Sequence, residues 1–255
     1  MVKRICKRKL FQKGYNKKEH EMKKRIKKII YRLIGLLPSS AVLMLHNITD
    51  HPKLNKSIVL SHEKFLLLVN SFNNWSPINA AVKKPSSGVL AMTFDDGFED
   101  VYTVAYPYLK SQNVPFTVFV TVEKLNTEGY LTTEQLKELA DDNLCTIGAH
   151  CYNHLPLAKL SYEEQKKELI TSKCAIEKII DKPVTLMAFP YGSYNASTLK
   201  ILRETKSYTA SFIVGRGFLN FISGFSRYEK PRIPIDNESF DKNFKLLLNK
   251  YNGDR

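Results

Sequence analysis

The strongest constraint in this sequence is an alternation. Short apolar runs suited to buried strands recur along the chain: Ser40 to Leu45, Gly88 to Phe94, Phe116 to Val122, Cys145 to Gly148, Val184 to Phe189, Tyr208 to Val214, and a short Arg232 to Ile235. Segments of helical character lie between several of them. Two carry capping-box starts, Thr132 with Gln135 and Ser161 with Glu164, and residues Phe240 to Tyr251 read as a closing helix. Strands that alternate with helices pair in parallel, because each crossover needs a helix to return the chain to the same end of the sheet. With 255 residues, 43% of them hydrophobic, the chain is long enough for one α/β barrel and one sizeable core.

The unusual polar residues sit just past the C-terminal ends of these strands. His46, the Asp95–Asp96 pair, His150 with His154, and the turn Pro190-Tyr191-Gly192 all occupy that position. Barrel enzymes assemble their chemistry from the loops at this end, so residues distant in sequence meet at one mouth. His150 and His154 leave a strand on a loop that ends before Pro156, and both imidazoles can face that mouth. Two neutral imidazoles and one carboxylate hold a zinc-type ion while leaving positions open for water and substrate, which is a catalytic arrangement. Adjacent carboxylates repel unless a cation or shared proton relieves them, and Gly97 permits the sharp turn that brings Asp95 and Asp96 to the mouth. Alone, Asp-Asp-Gly is most often a turn; with the histidine pair, one Asp as ligand and its neighbour as base is the sharper account.

Thr93-Phe94-Asp95-Asp96-Gly97, His150-Cys151-Tyr152-Asn153-His154 and Phe189-Pro190-Tyr191-Gly192 stand in the order and spacing of the NodB-homology polysaccharide deacetylases, carbohydrate esterase family 4. The chain resembles that family from about His46 to Asp236. The resemblance implies a distorted (β/α) barrel and a divalent metal, usually zinc, with cobalt, nickel or manganese as alternatives. It implies Asp96, His150 and His154 as metal ligands and Asp95 as the base that activates water. Removal of N-acetyl groups from an amino sugar in a glycan or glycan precursor is the activity implied. Similar scaffolds serve deformylases and amidases acting on lipid- or nucleotide-linked sugars, and a noncatalytic sugar-binding relative is the alternative from another class.

Three departures from the pattern bear on the site. Many members carry Arg where this chain has Phe189, and Arg232 is the candidate substitute for orienting Asp95. Many place a general-acid His near the C-terminus, but no histidine follows His154 here. Leu43-Met44-Leu45-His46-Asn47 resembles instead the early strand of the poly-N-acetylglucosamine deacetylase subgroup, which makes His46 the candidate acid. Cys151 stands where Ser or Thr is common. A backbone N–H near Tyr191, presented by the turn that Pro190 opens, is the candidate oxyanion donor, and Tyr191 and Tyr194 are candidates for a sugar-facing surface.

The net charge of +14 would suit a nucleic-acid partner were it spread over the fold, but its distribution argues against one. Fourteen Lys or Arg and only two Glu precede residue 33, which leaves +2 for everything after it. Ile26, Ile29, Ile30, Leu33, Ile34 and Leu37 follow one helical face within this basic stretch. Residues 1–38 are therefore expected as a basic amphipathic extension before a catalytic domain over 39–255. Peripheral contact with an anionic membrane and packing of the apolar face on the barrel both remain open. Arg32 and Pro38 interrupt the apolar run, so neither a cleaved signal nor a clean membrane span is expected, and an uncleaved anchor stays open. Four unpatterned cysteines suit a reducing, cytoplasmic compartment.

Overall fold

The structure is a computed structural model that describes residues 39–50, 58–215, 217–219 and 226–251. These residues belong to one compact unit that begins at Ser39. The basic extension expected over residues 1–38, and Cys6 within it, lie outside the described residues.

The chain runs β1 (Ala41–Leu45), β2 (Asn47–Ile48), β3 (Val59–Leu60), α1 (His62–Asn70), α2 (Ile78–Lys83), β4 (Leu90–Phe94), α3 (Tyr106–Ser111), β5 (Phe116–Val120) and α4 (Thr133–Asp141). It continues through β6 (Cys145–Ala149), α5 (Tyr162–Ile180), β7 (Leu186–Ala188), α6 (Ala196–Thr205), β8 (Ala210–Val214), β9 (Lys230–Pro234) and α7 (Phe240–Tyr251). β1 and β4 to β9 pair in parallel as a closed seven-stranded barrel, and β9 returns to β1 with Leu43 opposite Ile233. The short β2–β3 pair stands apart from it.

Side chains alternate between the two faces of a strand, and the closed sheet turns that alternation into two cores. Leu43 and Leu45, Met92 and Phe94, and Val118 and Val120 pack between barrel and helices in the larger cluster. Val42, Ala91, Phe119, Leu186, Ala188, Ala210 and Phe212 have the opposite parity and fill the barrel interior as a second cluster. Gly148 belongs to this inner row. A Cβ there would lie 2.5 Å from the Phe119 ring and 3.1 Å from the Leu186 carbonyl oxygen, so the large ring opposite requires a glycine.

Both expected capping boxes are present, Thr132 with Gln135 on α4 and Ser161 with Glu164 on α5; Asn195 with Thr198 forms a third on α6. α7 spans the expected residues. Most strands are shorter than their apolar runs, although β6 extends one residue further, to Ala149, and β9 begins two residues earlier, at Lys230. Val122 leaves β5 for a 3₁₀ turn, and β7 holds only Leu186–Ala188 of the run from Val184 to Phe189. Apolarity marks burial, whereas strand length is set by how far the neighbour's ladder continues. Before α3 the chain makes a π-helical turn, Val101–Ala105, in which the Tyr106 N–H donates to the Val101 carbonyl. Pro107 explains it: proline has no N–H to give and its ring clashes with the carbonyl one turn back, so the chain widens there. No helix among the described residues is long and apolar enough to cross a membrane.

Candidate active site

The inner rows of side chains carry straight on into the site. Ala91 and Thr93 are followed two residues on by Asp95, Val42 and Met44 by His46, and Gly148 by His150. The Asp95 N–H donates to the Leu45 carbonyl at 2.9 Å, and the His150 N–H to that of Val120 at 2.9 Å, so the parallel ladder sets both positions. A cavity of about 560 Å³ opens at this end of the barrel; His46, Asp95, Asp96, His150, His154 and Tyr191 all line it. These six of the sequence-predicted residues share one cavity, whereas Pro190 and Arg232 are not part of its lining.

Arg232 is fully buried on β9 and grips Asp95 with two parallel bonds: Nη1 donates to Oδ1 at 2.6 Å and Nη2 to Oδ2 at 2.7 Å. Nη1 also donates to the Thr93 hydroxyl at 3.2 Å, and the guanidinium lies 5.3 Å from the Phe119 ring centre. Burial alone would raise the Asp95 pKa. The Arg232 charge, reinforced by its hydrogen bonds, opposes that and holds the carboxyl below its ordinary range. An arginine on β9 thus stands beside Asp95, two strands along the barrel from β7, which leads into Phe189. Phe189 itself is buried and stacks on Tyr194, ring centres 5.1 Å apart, so Tyr194 packs as a wall residue while its hydroxyl donates to Glu229.

Asp96, His150 and His154 are the described His, Cys, Asp or Glu residues whose ligand atoms converge, all within 4.8 Å of one another. The Asp96 Oδ1 lies 3.4 Å from His150 Nε2 and 3.0 Å from His154 Nε2. His150 Nδ1 lies 2.8 Å from the Ala188 carbonyl and must carry the proton, which leaves Nε2 as a lone-pair donor aimed at Asp96. Burial lowers the His150 pKa despite both carboxylates, so the ring is neutral. Burial also works to raise the Asp96 pKa, but the contact with His154 leads the influences that oppose it, and the carboxyl lies below its ordinary range. An unprotonated imidazole nitrogen facing a carboxylate oxygen with no proton between them repels it, and a divalent cation removes that conflict. The donor set fits such an ion.

The backbone is bent to make this geometry. Asp96, Cys151, His154 and Tyr191 all have positive φ, between 55° and 71°, a region that side chains enter at a cost of about 1–3 kcal/mol each. Two braces hold the bends, and no motif announced the first. Glu168 on α5 is buried; its Oε2 accepts the N–H groups of Tyr152 and Asn153 at 2.9 and 3.0 Å, and Oε1 accepts the Asn153 amide at 2.6 Å. The Tyr191 hydroxyl lies 3.2 Å from His154 Nδ1 and orients that ring from the outside. Helical periodicity does place Glu168 among the buried positions of α5, the one signal that could have singled it out. In the Pro190–Gly192 turn the Gly192 N–H donates to the Phe189 carbonyl and that of Ser193 to Pro190, while Tyr191 is 69% exposed at the mouth. Cys145, Cys151 and Cys174 are free thiols, and burial raises the pKa of the first two.

The family model for polysaccharide deacetylase matches residues 82–210, half of the chain, and includes the Asp95–Asp96 pair, His150, His154 and the Pro190 turn. The chain belongs to the polysaccharide deacetylase family. The protein YxkH of Bacillus subtilis is 33% identical over 171 residues, which cover 64% of this chain and 61% of that protein. A poly-β-1,6-N-acetyl-D-glucosamine N-deacetylase of Staphylococcus aureus is 25% identical over 182 residues, 64% of this chain and 58% of that enzyme. This chain thus spans about three fifths of the length of the curated relatives it matches. The deacetylase PplD of Streptococcus pyogenes, solved with acetate, superposes with a TM-score of 0.72 at 24% identity, over 83% of this chain and 98% of that one. IcaB of Ammonifex degensii superposes with a TM-score of 0.71 at 20% identity, over 82% and 97%. The fold is the NodB-type (β/α) barrel of these deacetylases. His46 and Arg232 lie outside the segment matched by the family model.

Proposed function

We propose that this chain removes N-acetyl groups from an amino sugar in a glycan or glycan precursor, with a divalent ion held by Asp96, His150 and His154. The observation that carries this reading is the convergence of those three ligand atoms beside an ionised Asp95 gripped by a buried arginine. Two imidazoles and a carboxylate suit zinc, and cobalt, nickel or manganese can use the same donors. When bound, such an ion polarises the acetamide carbonyl and eases ionisation of a water.

Asp95 takes the proton of the attacking water, and Arg232 keeps it ionised and oriented for that task. Pro190 has no N–H and those of Gly192 and Ser193 close the turn, which leaves the Tyr191 amide to face the developing oxyanion. His46, at the end of β1 on the same cavity wall, gives a proton to the departing amine. One group must be ionised and the other protonated, so the rate is bell-shaped in pH. Its acid limb lies low, because the Asp95 carboxyl is held below its ordinary range. Residues 39–255 form the catalytic domain in this reading. The activity for which the Staphylococcus aureus relative is named supports an N-acetylglucosamine-containing glycan as the substrate.

The test is amine release from N-acetylated sugars, monomeric, oligomeric and nucleotide-linked, by metal-loaded protein beside Asp95→Asn and His46→Ala. Metal-dependent release that falls by about 10²-fold or more in each variant supports both roles. Undiminished release in either removes that residue from the mechanism.

A further inference from the structure

The cavity holds one cation that the chemistry above does not use. Lys124 lines its wall, half-buried, at the end of the Val122–Lys124 turn that follows β5. That turn is tied to the metal loop: the Val122 N–H donates to the Cys151 carbonyl at 3.4 Å and the Glu123 N–H to that of Tyr152 at 3.0 Å. The Lys124 N–H donates to the Thr121 carbonyl, and its own carbonyl accepts both the Thr127 N–H and hydroxyl. The backbone under Lys124 is therefore fixed in register with the two histidines. The ammonium stands 5.5 Å from the Tyr130 ring centre, and Tyr130 stacks on buried Phe98 at 4.9 Å.

The charge balance makes this position informative. Of the other charged groups on the wall, Asp95 is neutralised by Arg232 and Asp96 faces the two imidazoles. Among the described residues no carboxylate lies within ion-pair distance of Lys124, although carboxylates pair with Lys110, Lys173, Lys182 and Lys200 elsewhere. A ring face offsets only about 0.5–1 kcal/mol at such a site and does not replace a counter-ion. A positive charge in a concave, partly desolvated wall concentrates anions. We propose that Lys124 sets substrate class: the acetamido sugar taken here carries an anionic group, a phosphate ester or a carboxylate, on the acetylated residue or its neighbour, and Lys124 binds it. The inference rests on the deacetylase reading of the same cavity.

The experiment compares three probes with metal-loaded protein: an N-acetylglucosamine disaccharide, the same disaccharide bearing a phosphate ester, and the same bearing a carboxylate. The expected result is a kcat/KM at least about tenfold higher for an anionic probe, carried by KM and eroded by added salt, since the contact is partly solvated. Which anionic probe wins separates phosphate from carboxylate. In Lys124→Gln the anionic-to-neutral ratio collapses toward one, and in Lys124→Arg it is kept. A ratio near one in the wild type, or a loss in Lys124→Gln that is equal for charged and neutral probes, overturns the inference and leaves Lys124 as a packing residue on Tyr130. The same ratio is read as Kd by calorimetry on Asp95→Asn protein. If no probe is turned over, the deacetylase reading fails, while the binding ratio still decides the role of Lys124.

Discussion

Replacing Arg232 by Met removes the two bonds to Asp95 and the charge behind them while keeping the volume of the barrel interior nearly filled. Asp95 is 2% exposed, so its carboxylate is then buried with no counter-charge of its own. Breaking a buried pair from one side costs about 3–5 kcal/mol, a large share of the ~5–15 kcal/mol that holds a domain folded. The cost depends on pH in a fixed sense. In the wild type the Asp95 pKa lies below its unfolded value, so its contribution is present above about pH 4 and is lost as pH falls through the folded value. In Arg232→Met, burial is the largest remaining influence and raises the pKa, so the penalty is full near neutrality and fades as the carboxyl protonates. Urea unfolding in chelator, at pH 7.5 and pH 5, reads the difference between the two proteins. The account predicts a gap of several kcal/mol at pH 7.5 that narrows at pH 5, with Arg232→Lys in between, because an ammonium keeps the charge but not the fork. A gap below about 1 kcal/mol, or one equal at both pH values, would refute the reasoning.

Further consequences follow from other residues. Glu168→Gln weakens the brace under the Tyr152 and Asn153 amides; zinc affinity, read by competition with a chromogenic chelator, falls by about 10–100-fold, as is usual for groups that orient ligands. Gly148→Ala drives a methyl group into the Phe119 ring and costs about 1–3 kcal/mol in thermal unfolding, and Phe119→Leu in the same chain recovers part of it. Asp100 is pushed up to about 6 by burial, while its Oδ2 accepts the Ile48 N–H at 2.7 Å. A raised acid pKa means that stability falls as pH climbs from about 4 to about 6. Asp100→Asn should therefore be more stable than wild type by up to about 2 kcal/mol at pH 7.5, with the advantage gone at pH 4 in urea unfolding.

Much of this was legible because strand parity and strand ends are written locally. Residue Asp95 follows Ala91 and Thr93 at intervals of two, so once β4 is recognised its carboxylate is bound to leave on the inner face. His150 was readable for the same reason, as the residue just past the end of β6. Arg232 as partner of Asp95 was suggested only by the position of Phe189, since residues 137 apart meet through barrel closure, which no local pattern records. Glu168 escaped notice because a buried glutamate on an amphipathic helix looks like any polar residue until the loop above it is known. The β2–β3 pair is too short to carry a period. The π turn had a cause in Pro107, but a proline near a helix start reads equally as an ordinary first turn.

The central claim is that Asp96, His150 and His154 hold a metal ion. Calorimetric titration of chelator-stripped protein with zinc, checked by elemental analysis after dialysis, tests it most directly. The account predicts one ion per chain in the wild type, and loss of that ion in Asp96→Ala and in His150→Ala, with the barrel still folded by circular dichroism. Absence of stoichiometric binding in the folded wild type, or equal binding after both substitutions, would contradict it.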